Sequence, residues 1–204
     1  MGGMNTNLTH IAFILDRSGS MESMRAEAIG GFNAFLKEQQ DNEGEANLSV
    51  ILFDHEYSPL VCGVPIAEMQ PLTEKDYEPR GMTALLDAIG RTIDDLGKRL
   101  DAMPKAERPG DVILVVLTDG LENASNDYSR DKVSKMIQHQ QTTYDWQFLF
   151  LGANFDSVQE AQDLGIQKAC SSVFKSVEEG MSLSSRTISE RRRQKSKNKK
   201  KIGF

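Results

Sequence analysis

At 204 residues and 39% hydrophobic, the chain holds enough apolar material for one full-cored domain and little for a second. No stretch nears the roughly 20 apolar residues of a membrane span, and the opening MGGMNTN lacks the charged and apolar regions of a secretory signal. The net charge of −6 hides a split: nine basic residues and one acid fall in 186–201, leaving 15 basic against 29 acidic residues elsewhere, so a body of −14 precedes a segment of +8.

The first apolar run is His10–Asp16 (HIAFILD), which closes on an acid and leads into Arg17-Ser18-Gly19-Ser20. Met24, Ala28, Phe32, Phe35 and Leu36 then recur at helical spacing. Leu48–Asp54 (LSVILFD) and Pro59–Val64 (PLVCGV) read as strands, and the connection between them is too short for a parallel crossover. They are expected to form an antiparallel hairpin at a sheet edge. A second helix carries Leu85, Ile89, Ile93, Leu96 and Leu100, followed by the buried-type strand Val112–Leu117 (VILVVL). A weaker helix holds Val133, Met136, Ile137 and Gln140; Trp146–Leu151 (WQFLFL) is the next strand. A further helix opens at Asp156, with Gln159 three residues on, and closes near Gly165. A short strand around Ala169–Phe174 and a Ser-rich helix from Ser176, with a thin pattern of Val177, Met181 and Ile188, would complete the series. Strands alternating with helices imply an α/β sheet covered on both faces. Residues 8–185 are expected to form the domain and 186–204 a basic, disordered tail or frayed helix, removable without loss of melting temperature.

Three pieces of sequence supply oxygen ligands. Asp16, Ser18 and Ser20 form a D-x-S-x-S element at the end of the first strand; Thr83 opens the second long helix; Asp119 follows the Val112–Leu117 strand in a T-D-G context. In an open parallel sheet ligands bind outside the carboxyl ends of the strands, so all three pieces fall on one rim. Two carboxylates with three hydroxyls make an all-oxygen set, which suits a hard cation such as Mg²⁺. The plainer reading for Asp16, Ser18, Ser20 and Thr83 is helix capping, since Asp, Ser and Thr favour such positions. Arg17, Met21, Arg80, Met82, Leu121, Glu122, Asn123 and Asn154 flank the set and are candidates for a partner-reading rim. His10, His55 and His139 lie in unrelated segments and are expected at surface or edge positions, and Asp54-His55-Glu56 as a polar hairpin tip. Cys62 and Cys170 lie far apart and are read as reduced core or edge thiols, which fits a cytoplasmic setting.

Over about residues 8–175 the chain resembles the von Willebrand factor type A (vWA) family, and its motif is similar to the metal-ion-dependent adhesion site. Asp16, Ser18, Ser20, Thr83 and Asp119 stand at all five positions of that motif. The resemblance looks closest to stand-alone vWA proteins of bacteria and phages. It implies a Rossmann-like sheet in the order 3-2-1-4-5-6 with the third strand antiparallel. It also implies a cation, Mg²⁺ or alternatively Mn²⁺, held by hydroxyls and carboxylates and completed by a partner's Asp or Glu.

The expected function is therefore a non-catalytic, cation-dependent protein-interaction module. The main alternative is a phosphotransfer enzyme of the haloacid-dehalogenase type, which also places an Asp at the end of the first strand. That chemistry normally needs a second acid two residues on, where this chain has Ser18. A third class, a scaffold component, would use the basic segment 186–201 for weak, sequence-blind contact with nucleic acid or another polyanion. There is no G-x-x-x-x-G-K-[ST] loop and no G-x-G-x-x-G after the first strand, which argues against a nucleotide site.

Overall fold

The structure, a computed structural model, describes residues 4–152, 155–167, 171–173 and 176–202. Eleven principal elements follow in the order β1 (Asn5–Asp16), α1 (Arg25–Gln40), β2 (Glu45–Phe53), β3 (Tyr57–Pro65), α2 (Leu85–Ala102), β4 (Pro109–Thr118), α3 (Arg130–Tyr144), β5 (Gln147–Gly152), α4 (Phe155–Asp163), β6 (Ser171–Val173) and α5 (Val177–Ile202). The sheet order is β3-β2-β1-β4-β5-β6. Every pair is parallel except β2–β3, where Phe53 faces Tyr57 and Leu48 faces Val64. The short hairpin thus does what chain length requires: three residues cannot carry a strand back for a parallel pairing.

The period of two along the central strands sorts side chains to the two faces. Ile11, Phe13 and Leu15 of β1, with Ile113, Val115 and Leu117 of β4, pack under α1 and α5. Ala12 and Ile14, with Val112, Leu114 and Val116, pack under α2, α3 and α4. Phe13, Phe32 and Phe35 meet edge to face at centroid distances of 5.4 and 5.2 Å, which locks α1 to β1. β1 lies between β2 and β4, and consecutive connections diverge at that point. The carboxyl ends of β1 and β4 therefore open a crevice at the topological switch.

The carboxyl-terminal segment differs from the sequence expectation. α5 runs across residue 186 without a break and packs on α1, where Gly31 leaves room for Met181. Ile188 is fully buried, and Arg192 is 3% exposed. Arg192 donates to the Gln39 carbonyl at 2.7 Å, to Gln39 Oε1 at 2.9 Å and to the Gly44 carbonyl at 2.8 Å. The Gln39 carbonyl sits at the carboxyl end of α1, where free carbonyls and the helix dipole favour a cation, and Gly44 lies in the link to β2. Arg191 and Lys195 both pair with the buried Asp111, at 2.8 and 3.0 Å. The charge of residues 186–204 predicts a disordered tail or frayed helix instead. The segment buries because each of these cations finds acceptors at the foot of the sheet. Three of the nine basic residues are thereby committed to the domain rather than to a polyanion.

One smaller expectation also changes. His10 is buried on β1, with Nε2 3.1 Å from Ser49 Oγ, and not at a surface or edge. Cys62 is an exposed thiol on the edge strand β3, as expected; Cys170 lies outside the described residues. Among the described residues no helix is long and apolar enough to cross a membrane.

Candidate metal centre

Asp16 is the last residue of β1, and its carboxylate is fully buried. Oδ1 accepts the Ser18 backbone N–H at 2.7 Å, an Asx turn that folds the chain back over the strand end. Oδ2 accepts the Thr118 hydroxyl at 2.5 Å, across the β1–β4 boundary. Ser18 Oγ lies 3.2 Å from Ser20 Oγ, and Ser20 Oγ donates to Asp119 Oδ1 at 2.8 Å. Thr83 approaches from the other side: a Cβ on Gly120 would stand 2.9 Å from Thr83 Oγ1. Gly120 is what allows the two loops to close to this distance. The structure thus links Asp16, Ser18, Ser20 and Asp119 by hydrogen bonds and sets Thr83 against Gly120, the residue after Asp119.

The capping alternative is tested directly. The helical turn Gly19–Met24 has Ser18 at its N-cap, and no side chain caps it. α2 has Ala84 at its N-cap, again without a side-chain cap. Its first free N–H groups are met from the loop after β4 instead: Glu122 accepts from Leu86 at 2.8 Å and Ser125 from Asp87 at 3.0 Å. The hydroxyls of Ser18 and Thr83 are therefore not spent on helix ends.

Electrostatics set the character of the place. Burial pushes the Asp16 carboxyl up to about 6, with the charge of Asp119 adding to the rise, while hydrogen bonds from Thr118 and Ser18 oppose it. Burial also raises Asp119, against the hydrogen bond from Ser20. Asp16 makes no ion pair among the described residues. The two nearby guanidinium groups, Arg17 and Arg80, turn to Asp54 at 2.9 Å each. Anionic oxygens with neutral hydroxyls and no cation turned toward Asp16 are what a divalent ion would fit. Among the described residues no three His, Cys, Asp or Glu side chains converge at metal-binding spacing, so the hydroxyls have to complete any ligand set here.

The flanking residues separate into two groups. Met82, directly before Thr83, and Leu121, two residues after Asp119, are 57% and 48% exposed. Met21 instead enters the core, while Glu122 and Asn123 hold the fold. Asn123 clips Thr83 on both sides, accepting its N–H at 2.9 Å and donating to its carbonyl at 3.0 Å. Asn154 lies outside the described residues. Sequence reading missed Thr118 and Tyr77: the Tyr77 hydroxyl donates to the Asp16 carbonyl from a fully buried ring. Thr118 was visible as the residue before Asp119; Tyr77 carried no local signal. A cleft of about 310 Å³ between the β2–β3 turn and α2 lies beside the site and contains none of the five residues.

No protein-family model matches the chain, and no curated relative does. Solved structures do. The manganese-loaded TRAP protein of Plasmodium vivax superposes with a TM-score of 0.62 at 16% identity, covering 87% of this chain and 72% of that one. A von Willebrand factor type A protein from Catenulispora acidiphila gives 0.58 at 14%, covering 89% and 42%. The pilus adhesin SpaC of Lactobacillus rhamnosus GG, in its open conformation, gives 0.66 at 12%, covering 94% and 30%. The chain therefore spans less than half of the last two. At such identity the likeness speaks for the fold alone, which is vWA-type, a Rossmann-like α/β sheet covered on both faces.

Proposed function

We propose that the chain is a non-catalytic protein-interaction module that binds an Asp or Glu of a partner through Mg²⁺, or alternatively Mn²⁺, held by Asp16, Ser18, Ser20, Thr83 and Asp119. The observation that carries this reading is the chain of contacts joining Asp16, Ser18, Ser20 and Asp119, with Thr83 set against Gly120, Asp16 buried and both neighbouring arginines turned to Asp54. Bound there, the ion would supply a hard electrophile able to take an incoming carboxylate. Asp16 and Asp119 contribute the charge, Ser18 and Ser20 neutral oxygens beside it, and Thr83 a hydroxyl from the facing loop. With few carboxylates in the set, positive charge is left for a partner's acid. Met82 and Leu121 would give that partner apolar contact. The likeness to a manganese-loaded protein and to an adhesin agrees with this reading.

Thermal unfolding with and without Mg²⁺ tests it. A ligand at about 100 times its Kd stabilises by about 2.7 kcal/mol, which for a domain of this size raises Tm by about 5–11 °C. Asp119→Ala is expected to abolish that rise. Thr83→Ala is expected to keep measurable Mg²⁺ binding and to lose the cation-dependent partner in a pull-down run with Mg²⁺ against chelator. If Mg²⁺ stabilises wild type and Asp119→Ala equally, the site is misassigned. Hydrolysis of phosphate esters by the wild type, abolished in Asp16→Asn, would replace the binding module with the enzyme.

A further inference from the structure

We infer that Asp54 is a positioning residue for the rim, an inference that rests on the function proposed above. Asp54 follows β2, outside all three motif pieces, and its side chain is 0% exposed. Its Oδ2 accepts Arg17 Nε and Arg80 Nε, both at 2.9 Å, and its Oδ1 accepts the Glu56 backbone N–H at 2.6 Å. Its own carbonyl accepts the Ala84 N–H at 2.8 Å. Those partners lie inside the two loops that must meet: Arg17 stands between Asp16 and Ser18, Arg80 shortly before Thr83, and Ala84 directly after it. Backbone bonds run in parallel, from Arg80 N–H to the Arg17 carbonyl at 2.7 Å and from Gly19 N–H to the Gly81 carbonyl at 3.2 Å.

One carboxylate therefore fixes the spacing between loops that are remote in sequence. A buried ion cluster is a weak source of net stability, because desolvation offsets much of the attraction; what it supplies is directional geometry. The same contact disposes of two cations. With Asp54 present, both guanidinium groups turn to the β2–β3 hairpin, and the outer ends are held by Ser58, at 2.8 Å from Arg17 Nη2, and by Glu56 against Arg80. Without it, two unpaired positive charges border a place built to attract one. Asp54 therefore acts on the rim both by geometry and by keeping its surroundings free of competing cations.

The test uses the full chain, with Mg²⁺ alone as ligand. Asp54→Asn keeps the side-chain size and loses the charge and one of the two acceptor oxygens, replacing it with a donor. It is expected to raise the Mg²⁺ Kd at least tenfold by calorimetry. Arg80→Gln, which removes one arm from the exposed side, is expected to raise it by a smaller factor. Ile137→Ala, in the core under α3, lowers Tm without changing Mg²⁺ affinity. In metal-free protein, amide exchange at Gly19 and Arg80 is expected to quicken at least tenfold in Asp54→Asn, with Val115 of β4 unchanged. If Asp54→Asn does not fold, Arg80→Gln carries both readouts. Unchanged exchange at Gly19 and Arg80, or an equal loss of affinity in Ile137→Ala, overturns the positioning role. If the wild type binds no Mg²⁺ while exchange quickens as expected, the proposed function fails and the positioning role stands.

Discussion

Deleting residues 186–204 lowers the melting temperature by 10 °C or more, or prevents folding. The truncation removes Ile188, whose loss from the core costs about 2–5 kcal/mol by analogy with large-to-small substitutions. It also strips Asp111, 3% exposed in the intact domain, of Arg191 and Lys195. Breaking a buried pair from one side costs about 3–5 kcal/mol. Even partial relaxation leaves about 5 kcal/mol, and 1 kcal/mol moves Tm by about 2–4 °C in domains of this size. Ending the chain after Lys195 retains all of these contacts and is expected to shift Tm by less than about 2 °C, the change that about 0.5 kcal/mol makes in a domain of this size. Scanning calorimetry on the two truncations decides the matter. Equal melting of the longer truncation and the wild type would mean that this part of α5 contributes nothing to the fold.

Acid is expected to unfold the domain in part through His10. Burial, with the charge of Arg99 adding to it, pulls this imidazole down to about 3 from the ordinary 6.5. Between those values the unfolded chain binds a proton that the folded chain refuses, so stability is lost as pH falls from about 6.5 towards 3. The slope from this one group is about 1.4 kcal/mol per pH unit, several kcal/mol over the window. Burial is nearly complete, so solvent screening gives little relief. His10→Gln keeps an acceptor beside Ser49 and cannot titrate. Urea midpoints from pH 4 to 7 should therefore fall less steeply for the variant than for wild type, while the carboxylates common to both titrate alike. Parallel slopes would show that His10 is protonated in the folded state or exposed to water.

What the sequence alone determined is what short-range pattern can encode. Apolar runs such as VILVVL have no polar face, so they had to lie in a sheet covered on both sides, and the short link after Asp54 could only reverse the chain. Strand ends then placed Asp16 and Asp119 on one rim without reference to any coordinate. Tertiary structure alone decided the fate of polar groups, because burying one depends on partners far away in the chain. α5 was misjudged beyond residue 185 because its inner face is filled by Ser185, Ser189 and Arg192, which look solvated until Gln39, at the end of α1, meets them. His10 and Asp54 read as surface residues for the same reason: Ser49 and two arginines from other loops, not their own neighbours, make their burial tolerable. Whether Thr83 would cap its helix was equally undecidable from its own segment, since Glu122 and Ser125, delivered by the loop after β4, occupy the helix end and leave the threonine hydroxyl to the rim.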